Sequence, residues 1–147
     1  MTGRTESTPR AVLVYGLLGI IPIWSLPVAT MLAPAWTGIS AAIEAVYAAL
    51  ILSFLGGARW GLAVREASPD PMVVGLAMTP TLAGLGVLVF THGEVRLQLL
   101  AVAAALTLSW AWDFSAKDLP PWYGRFRTVL TLGAVGGLCV GAMQCPQ

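Results

Sequence analysis

Charge is scarce in this sequence. Lys and Arg number eight and Asp and Glu seven in 147 residues, so only 10% of the chain is charged. A soluble domain carries about 25%. With 57% of its residues hydrophobic, the chain cannot cover a folded body with a water-facing surface, but it can cover one with a lipid-facing surface. The net charge of +1 supplies no general attraction for nucleic acid. Cysteine is nearly absent too. Cys139 and Cys145 match neither a metal site nor a disulfide framework. About 9 Å apart along a continuous helix, they are beyond disulfide reach. The one histidine, His92, lies in the short segment THGEVR with no second His, Cys or carboxylate cluster near it in sequence, which argues against metal or haem ligation. There is no G-x-S-x-G, Walker-type loop, H-E-x-x-H or pair of carboxylates on one helix face. The expectation is a protein without catalytic machinery, and the chain is too short for two ordinary domains.

Long apolar runs are what the sequence has in abundance. A membrane-spanning helix needs about 20 mostly apolar residues. Five stretches approach that length: Ala11 to Leu32, Ile39 to Ala63, Met72 to Phe90, Leu97 to Trp112 and Phe126 to Met143. This predicts an all-α integral membrane bundle of five helices over residues 11–147, preceded by a polar segment, 1–10. The first apolar run is too long for the core of a signal peptide and reads as a retained helix. Polar residues followed by proline, at Thr8-Pro9, at Asp70-Pro71 and at Asp118 before Pro120-Pro121, mark helix openings, because first-turn N–H groups lack partners anyway. The last helix then starts near Leu119 and gains the length to span. Pro22, Pro27 and Pro80 fall inside the runs and predict kinks.

Basic residues predict orientation. Arg4, Arg10, Arg59, Arg65, Lys117, Arg125 and Arg127 fall on one side and Arg96 alone on the other. The positive-inside rule places the N-terminus in the cytoplasm and the C-terminus outside. Trp60, Trp112, Trp122 and Tyr123 gather at the same boundary and Trp36 at the opposite one, an aromatic-belt pattern. Small residues recur every four positions at Ser53, Gly57 and Gly61, and at Gly133, Gly137 and Gly141. Such tracks let helix backbones approach closely, either within the bundle or on a docking face for a partner or second copy.

A few charged residues invite a role. Glu44 is an acid within the second run. If Ser40 caps that helix, the carboxyl lies just past the first turn among headgroups; if Thr37 does, it lies two turns deep, where an ionisable group suggests function. Arg59 is about 22 Å along the same helix, so the two cannot pair. Asp113, near the end of the fourth helix, is the better partner for Arg59. Lys117, Arg125 and Arg127, with Trp122 and Tyr123, form a basic aromatic collar suited to anchoring on lipid phosphates or docking an acidic partner loop.

Three segments carry a family resemblance: GLLGIIPI in the first helix, LSFLGGARWG in the second, and WDFSAKDLPPWYGRFRTVLT from the fourth into the fifth. Through Gly19, Pro22, Ser53, Phe54, Gly57, Trp60, Gly61, Asp113, Leu119, Pro120, Trp122, Tyr123 and Arg127, the chain resembles the bacterial domain of unknown function 3429 family, itself similar to transmembrane protein 69 of mitochondria. The resemblance runs nearly the whole length. It implies a multi-pass protein of the bacterial inner membrane and no particular activity. In that family a histidine often precedes the Trp-Gly of the second helix. Arg59 stands there instead, which favours a structural or ion-pair role. Tryptophan-rich sensory proteins share size and helix number, but their Trp-Pro-Pro signature is not matched by LPPWYGRFR. The expected role is a non-catalytic accessory, assembly or stabilising subunit of a respiratory or photosynthetic membrane complex. Its partners would be lipids, other integral membrane proteins or a second copy, with no nucleic acid and no required cofactor. The alternative is a binder or carrier of a lipid, quinone or tetrapyrrole.

Overall fold

The computed structural model describes residues 8–115 and 119–145. Among these residues six α-helices run in order: α1 (Arg10–Leu18), α2 (Ile21–Leu32), α3 (Thr37–Ala63), α4 (Pro71–Phe90), α5 (Val95–Ser115) and α6 (Pro121–Gln144). A 3₁₀ turn, Pro34–Trp36, leads into α3. No strand occurs among the described residues. With α1 and α2 counted together, five segments are long and apolar enough to cross a membrane, as the apolar runs predict.

The first segment is interrupted rather than merely kinked. Pro22 has no N–H to give the carbonyl of Leu18. The chain therefore breaks at Gly19–Ile20, and Pro22 falls in the first turn of α2, where no donor is needed. Pro27 and Pro80 do stay inside α2 and α4. At the latter, the Leu76 carbonyl that Pro80 cannot serve accepts instead from Thr79 Oγ1 at 2.7 Å, a hydroxyl repair that membrane helices commonly need. Asp70 caps α4 as expected, accepting from the Met72 N–H at 2.8 Å. Pro9 is the residue before α1, and no side chain caps that helix. The fifth segment opens at Pro121, two residues later than the extended reading, and is 24 residues long. Arg4, Lys117 and the expected cap Asp118 lie outside the described residues.

The helix α3 is the axis of the bundle and packs on α2, α4, α5 and α6, whereas α1 rests mainly on α6. Ile23, Ala45, Ala48, Leu52, Leu99, Val102, Leu106 and Leu138 join in one buried apolar core. Small residues set the closest approaches. A Cβ on Gly56 would stand 2.6 Å from the Ala77 carbonyl oxygen, and one on Gly84 3.3 Å from that of Ala49. Between these points Ser53 Oγ and Thr81 Oγ1 are hydrogen-bonded at 3.0 Å. The α3–α4 seam thus runs through Ala49, Ser53 and Gly56. Of the two readings of the Ser53–Gly57–Gly61 track, packing within the bundle holds for Ser53, whereas Gly57, which is exposed, and Gly61, which is half-buried, have nothing within 4 Å of a notional Cβ. The other track does face inward. Gly133 lies under Ile20, Gly137 under Ile23 and Gly141 against the Glu44 carboxyl.

The adjacent glycines of α3 give a direct test. We expect Gly56→Ala to cost about 1–3 kcal/mol, because backbone must move to admit the methyl group. Gly57→Ala should be neutral or stabilising by up to about 1 kcal/mol, through helix propensity alone. Unfolding in mixed detergent micelles reads both, and equal effects would contradict the seam.

Candidate functional site

Two buried polar centres lie at opposite ends of the bundle. One is where α3 and α5 end and α6 begins. Asp113 on α5 is 4% exposed, Arg59 on α3 4% and Arg127 on α6 3%. Arg127 Nε donates to Asp113 Oδ2 at 2.8 Å. Its two terminal nitrogens donate to Thr131 Oγ1 at 3.2 Å and Ser109 Oγ at 3.4 Å. Arg59 Nε stands 3.7 Å from Asp113 Oδ1, an ion-pair distance, and the Arg59 guanidinium carbon lies 4.8 Å from the centre of the Trp112 ring. Beside the cluster, Trp110 Nε1 donates to Thr128 Oγ1 at 2.9 Å and so ties α5 to α6 again.

The expected Arg59–Asp113 pair is therefore present, but among the described residues it is the longer of the two ion pairs that Asp113 makes. Arg127 makes the direct hydrogen-bonded contact. That corrects the collar reading, which put Arg127 among headgroups. Arg125 is exposed and keeps its place in a collar, with Trp60 exposed and Trp122 and Tyr123 half-buried beside it. Two residues on a helix point about 200° apart, so Arg125 and Arg127 cannot share a face. The signal that identifies Arg127 lies in the spacing. Ser109 and Asp113 on α5, and Arg127 and Thr131 on α6, are each four residues apart and so form facing polar stripes.

The other centre surrounds Glu44, which is 1% exposed. The helix α3 begins at Thr37, so the carboxyl lies two turns in, and the headgroup placement allowed by a Ser40 cap does not hold. Leu26, Pro27, Thr30, Ser40, Gly141 and Gln144 close around it, with no room for a water molecule. Gln144 Nε2 donates to the Pro27 carbonyl at 3.1 Å, and the Thr30 hydroxyl has two acceptors in reach for its one hydrogen, Gln144 Oε1 and the Pro27 carbonyl. Glu44 Oε1 has no hydrogen-bond partner among the described residues. Gly141 is what lets α6 pass this carboxyl. Thr30 and Gln144 were not singled out from sequence, since a lone Thr and Gln near helix ends carry no pattern. His92 is exposed, and Cys139 and Cys145 are free thiols.

Two further spaces open between helices. A cavity of about 340 Å³ is bounded by α1, α2, α3 and α6, with Arg127 and Thr131 in its wall. Another of about 310 Å³ lies between α3, α4 and α5 and reaches Ser109.

Five apolar helices joined by interhelical polar contacts define an integral membrane helical bundle. The chain belongs to the family described as Protein of unknown function (DUF3429), whose profile matches residues 8–143. It is similar to transmembrane protein 69 of Xenopus tropicalis, 32% identical over 142 residues that cover 94% of this chain and 55% of that protein. It is also similar to transmembrane protein 69 of Mus musculus, 31% identical over 133 residues that cover 86% of this chain and 53% of that one. The chain thus spans about half the length of these relatives. No solved structure matches it.

We expect Asp113→Asn to destabilise the bundle by about 3–5 kcal/mol, because a buried guanidinium loses its counter-charge. Replacing the pair together, Asp113→Leu with Arg127→Met, should recover part of that loss. Thermal and denaturant unfolding in detergent measure both. A silent Asp113→Asn would remove the cluster as a stabilising element.

Proposed function

We propose that the protein is a non-catalytic accessory, assembly or stabilising subunit of a larger inner-membrane complex, respiratory or photosynthetic, with its N-terminus in the cytoplasm. The observation that carries this reading is the uncovered face of α3. A 27-residue axial helix is normally enclosed by its neighbours. Here Ile43, Val46, Leu50, Phe54, Gly57 and Trp60 stay exposed along its length, with open space above Gly57 and Gly61. Large apolar residues beside two outward glycines suit close approach by a transmembrane helix of another protein. The side chains able to do chemistry are largely committed to holding helices together: Asp113, Ser109 and Thr131 by Arg127, and Thr30 by Gln144. The orientation is supported by Arg10, Arg59, Arg65, Arg125 and Arg127 lying at one end of the bundle and Arg96 at the other.

A second reading, a binder of a membrane-soluble small molecule, is favoured by a different observation, the 340 Å³ cavity beside Arg127.

Purification in mild detergent followed by mass spectrometry tests the first reading. We expect stoichiometric integral membrane proteins to accompany the wild-type chain and to be lost about tenfold or more from a Gly57→Leu, Gly61→Leu double variant of unchanged thermal stability. A lone monomer overturns the proposal, and a homodimer replaces the foreign partner with a second copy.

A further inference from the structure

We propose that the cavity between α1, α2, α3 and α6 is a binding site for a lipid-soluble molecule with a neutral carbonyl head and an apolar tail, of the quinone class, with its head at Arg127 and Thr131. This rests on the small-molecule reading above, in which the stretch of α3 around Leu50 and Phe54 stays open to lipid instead of being covered by a partner helix, and assigns that reading a place and a chemistry.

At about 340 Å³, the space is at the small end of ligand pockets. It suits a head group and the start of a tail rather than a whole phospholipid. Its lining is apolar except at one end. There Arg127 and Thr131 reach the wall although both are buried, at 3% and 6% exposure. A guanidinium carries five N–H donors. Bonds to Asp113, Thr131 and Ser109 use one donor each from Nε and the two terminal nitrogens of Arg127. One N–H on each terminal nitrogen remains. The Thr131 oxygen accepts from Arg127, which leaves its own hydroxyl hydrogen to give. The polar end of the cavity therefore offers donors, and what completes it is an acceptor oxygen.

Desolvation favours a neutral head. Arg127 is paired with Asp113 at 2.8 Å, and Arg59 stands 3.7 Å from the other oxygen of the same carboxylate, so the cost of stripping an anion of its water sets the preference. A carboxylate or phosphate entering there would lose its hydration. A ketone oxygen needs only the hydrogen bonds, and its desolvation is far cheaper.

The mouth selects a tail. Tyr15 on α1 and Leu50 and Phe54 on α3 line the space and are exposed at 75%, 63% and 73%. Leu50 is the midpoint of α3, so the opening faces the bilayer interior rather than water. A ligand enters sideways from lipid and leaves its tail there. The rings of Tyr15, Tyr47 and Phe54 provide surfaces for a flat head, and Tyr47 is fixed by its hydroxyl donating to the Gly19 carbonyl at 3.0 Å. The break between α1 and α2 leaves that carbonyl available.

The test uses the full chain in lipid nanodiscs with three probes of equal tail length: decylubiquinone, decanoate and decane. Binding is read by microscale thermophoresis. We expect saturable one-to-one binding of decylubiquinone, at least tenfold tighter than either other probe. Leu50→Trp, an exposed mouth position that disturbs no packing, should weaken it tenfold or more. Thr131→Val should weaken it by about two- to tenfold, the range for one hydrogen bond, and should leave decane binding unchanged. Decanoate binding as tightly as decylubiquinone overturns the neutral-head assignment while leaving a small-molecule site. Decane binding equally well overturns the role of Arg127 and Thr131. Failure of all three probes, or decylubiquinone binding indifferent to Leu50→Trp, overturns the site, and failure of all three also removes the small-molecule reading.

Discussion

One carboxylate joins three helices. Asp113 on α5 accepts from Arg127 of α6 and pairs with Arg59 of α3. In water such contacts contribute little. Within an apolar bundle each charge is costly alone, so the group persists only when its members are together. That requirement fixes the rotation of α5 and α6 about their own axes and brings the end of α3 to the same level. The apolar core cannot do this by itself, since lipid tails are as apolar as leucine and give helices little reason to prefer one facing surface. The remaining specificity comes from small residues and from single polar links, such as Trp24 Nε1 donating to the Gly133 carbonyl at 2.9 Å between α2 and α6.

The two polar centres differ in kind. In the arginine cluster Arg127 is hydrogen-bonded to Asp113 and Ser109 of α5 and to Thr131 of its own helix, while Asp113 Oδ1 makes no hydrogen bond among the described residues and faces Arg59 at ion-pair distance. The Glu44 centre is closed and tight, held by Thr30, Gln144 and the carbonyl of Pro27, yet one carboxyl oxygen is left without a hydrogen-bond partner. The first centre has the character of a fastener, with a cavity on either side of it. The second has the character of a plug that Gly141 admits and any larger residue would displace.

Much of the architecture was legible because a run of 20 apolar residues has few other uses. Helix openings at prolines were legible for the same local reason, since Pro71 and Pro121 sit where an N–H is not needed. Facing directions were not. Gly56 and Gly57 are adjacent and chemically identical, so the register of the α3–α4 seam could only come from the partner helix, where Ala77 meets one and not the other. Glu44 was ambiguous because its depth depends on whether Thr37 or Ser40 opens the helix, and the 3₁₀ turn at Pro34–Trp36 decides it. Arg127 was misplaced because its neighbours Trp122, Tyr123 and Arg125 do form an interfacial group. Only the facing stripes of α5 and α6 separate it from them.

The order in which the chain emerges gives the Asp113–Arg127 bond a further meaning. Only 14 residues separate the two in sequence, and both are too costly to present to lipid singly. The short connection lets α5 and α6 pair as a hairpin with that bond closed between them. The α1–α2 segment packs on α3 and α6 to a similar extent, so part of its seat is supplied by the last helix of the bundle. The first and last helices of the bundle are thus neighbours, and its closure joins segments that lie far apart along the chain.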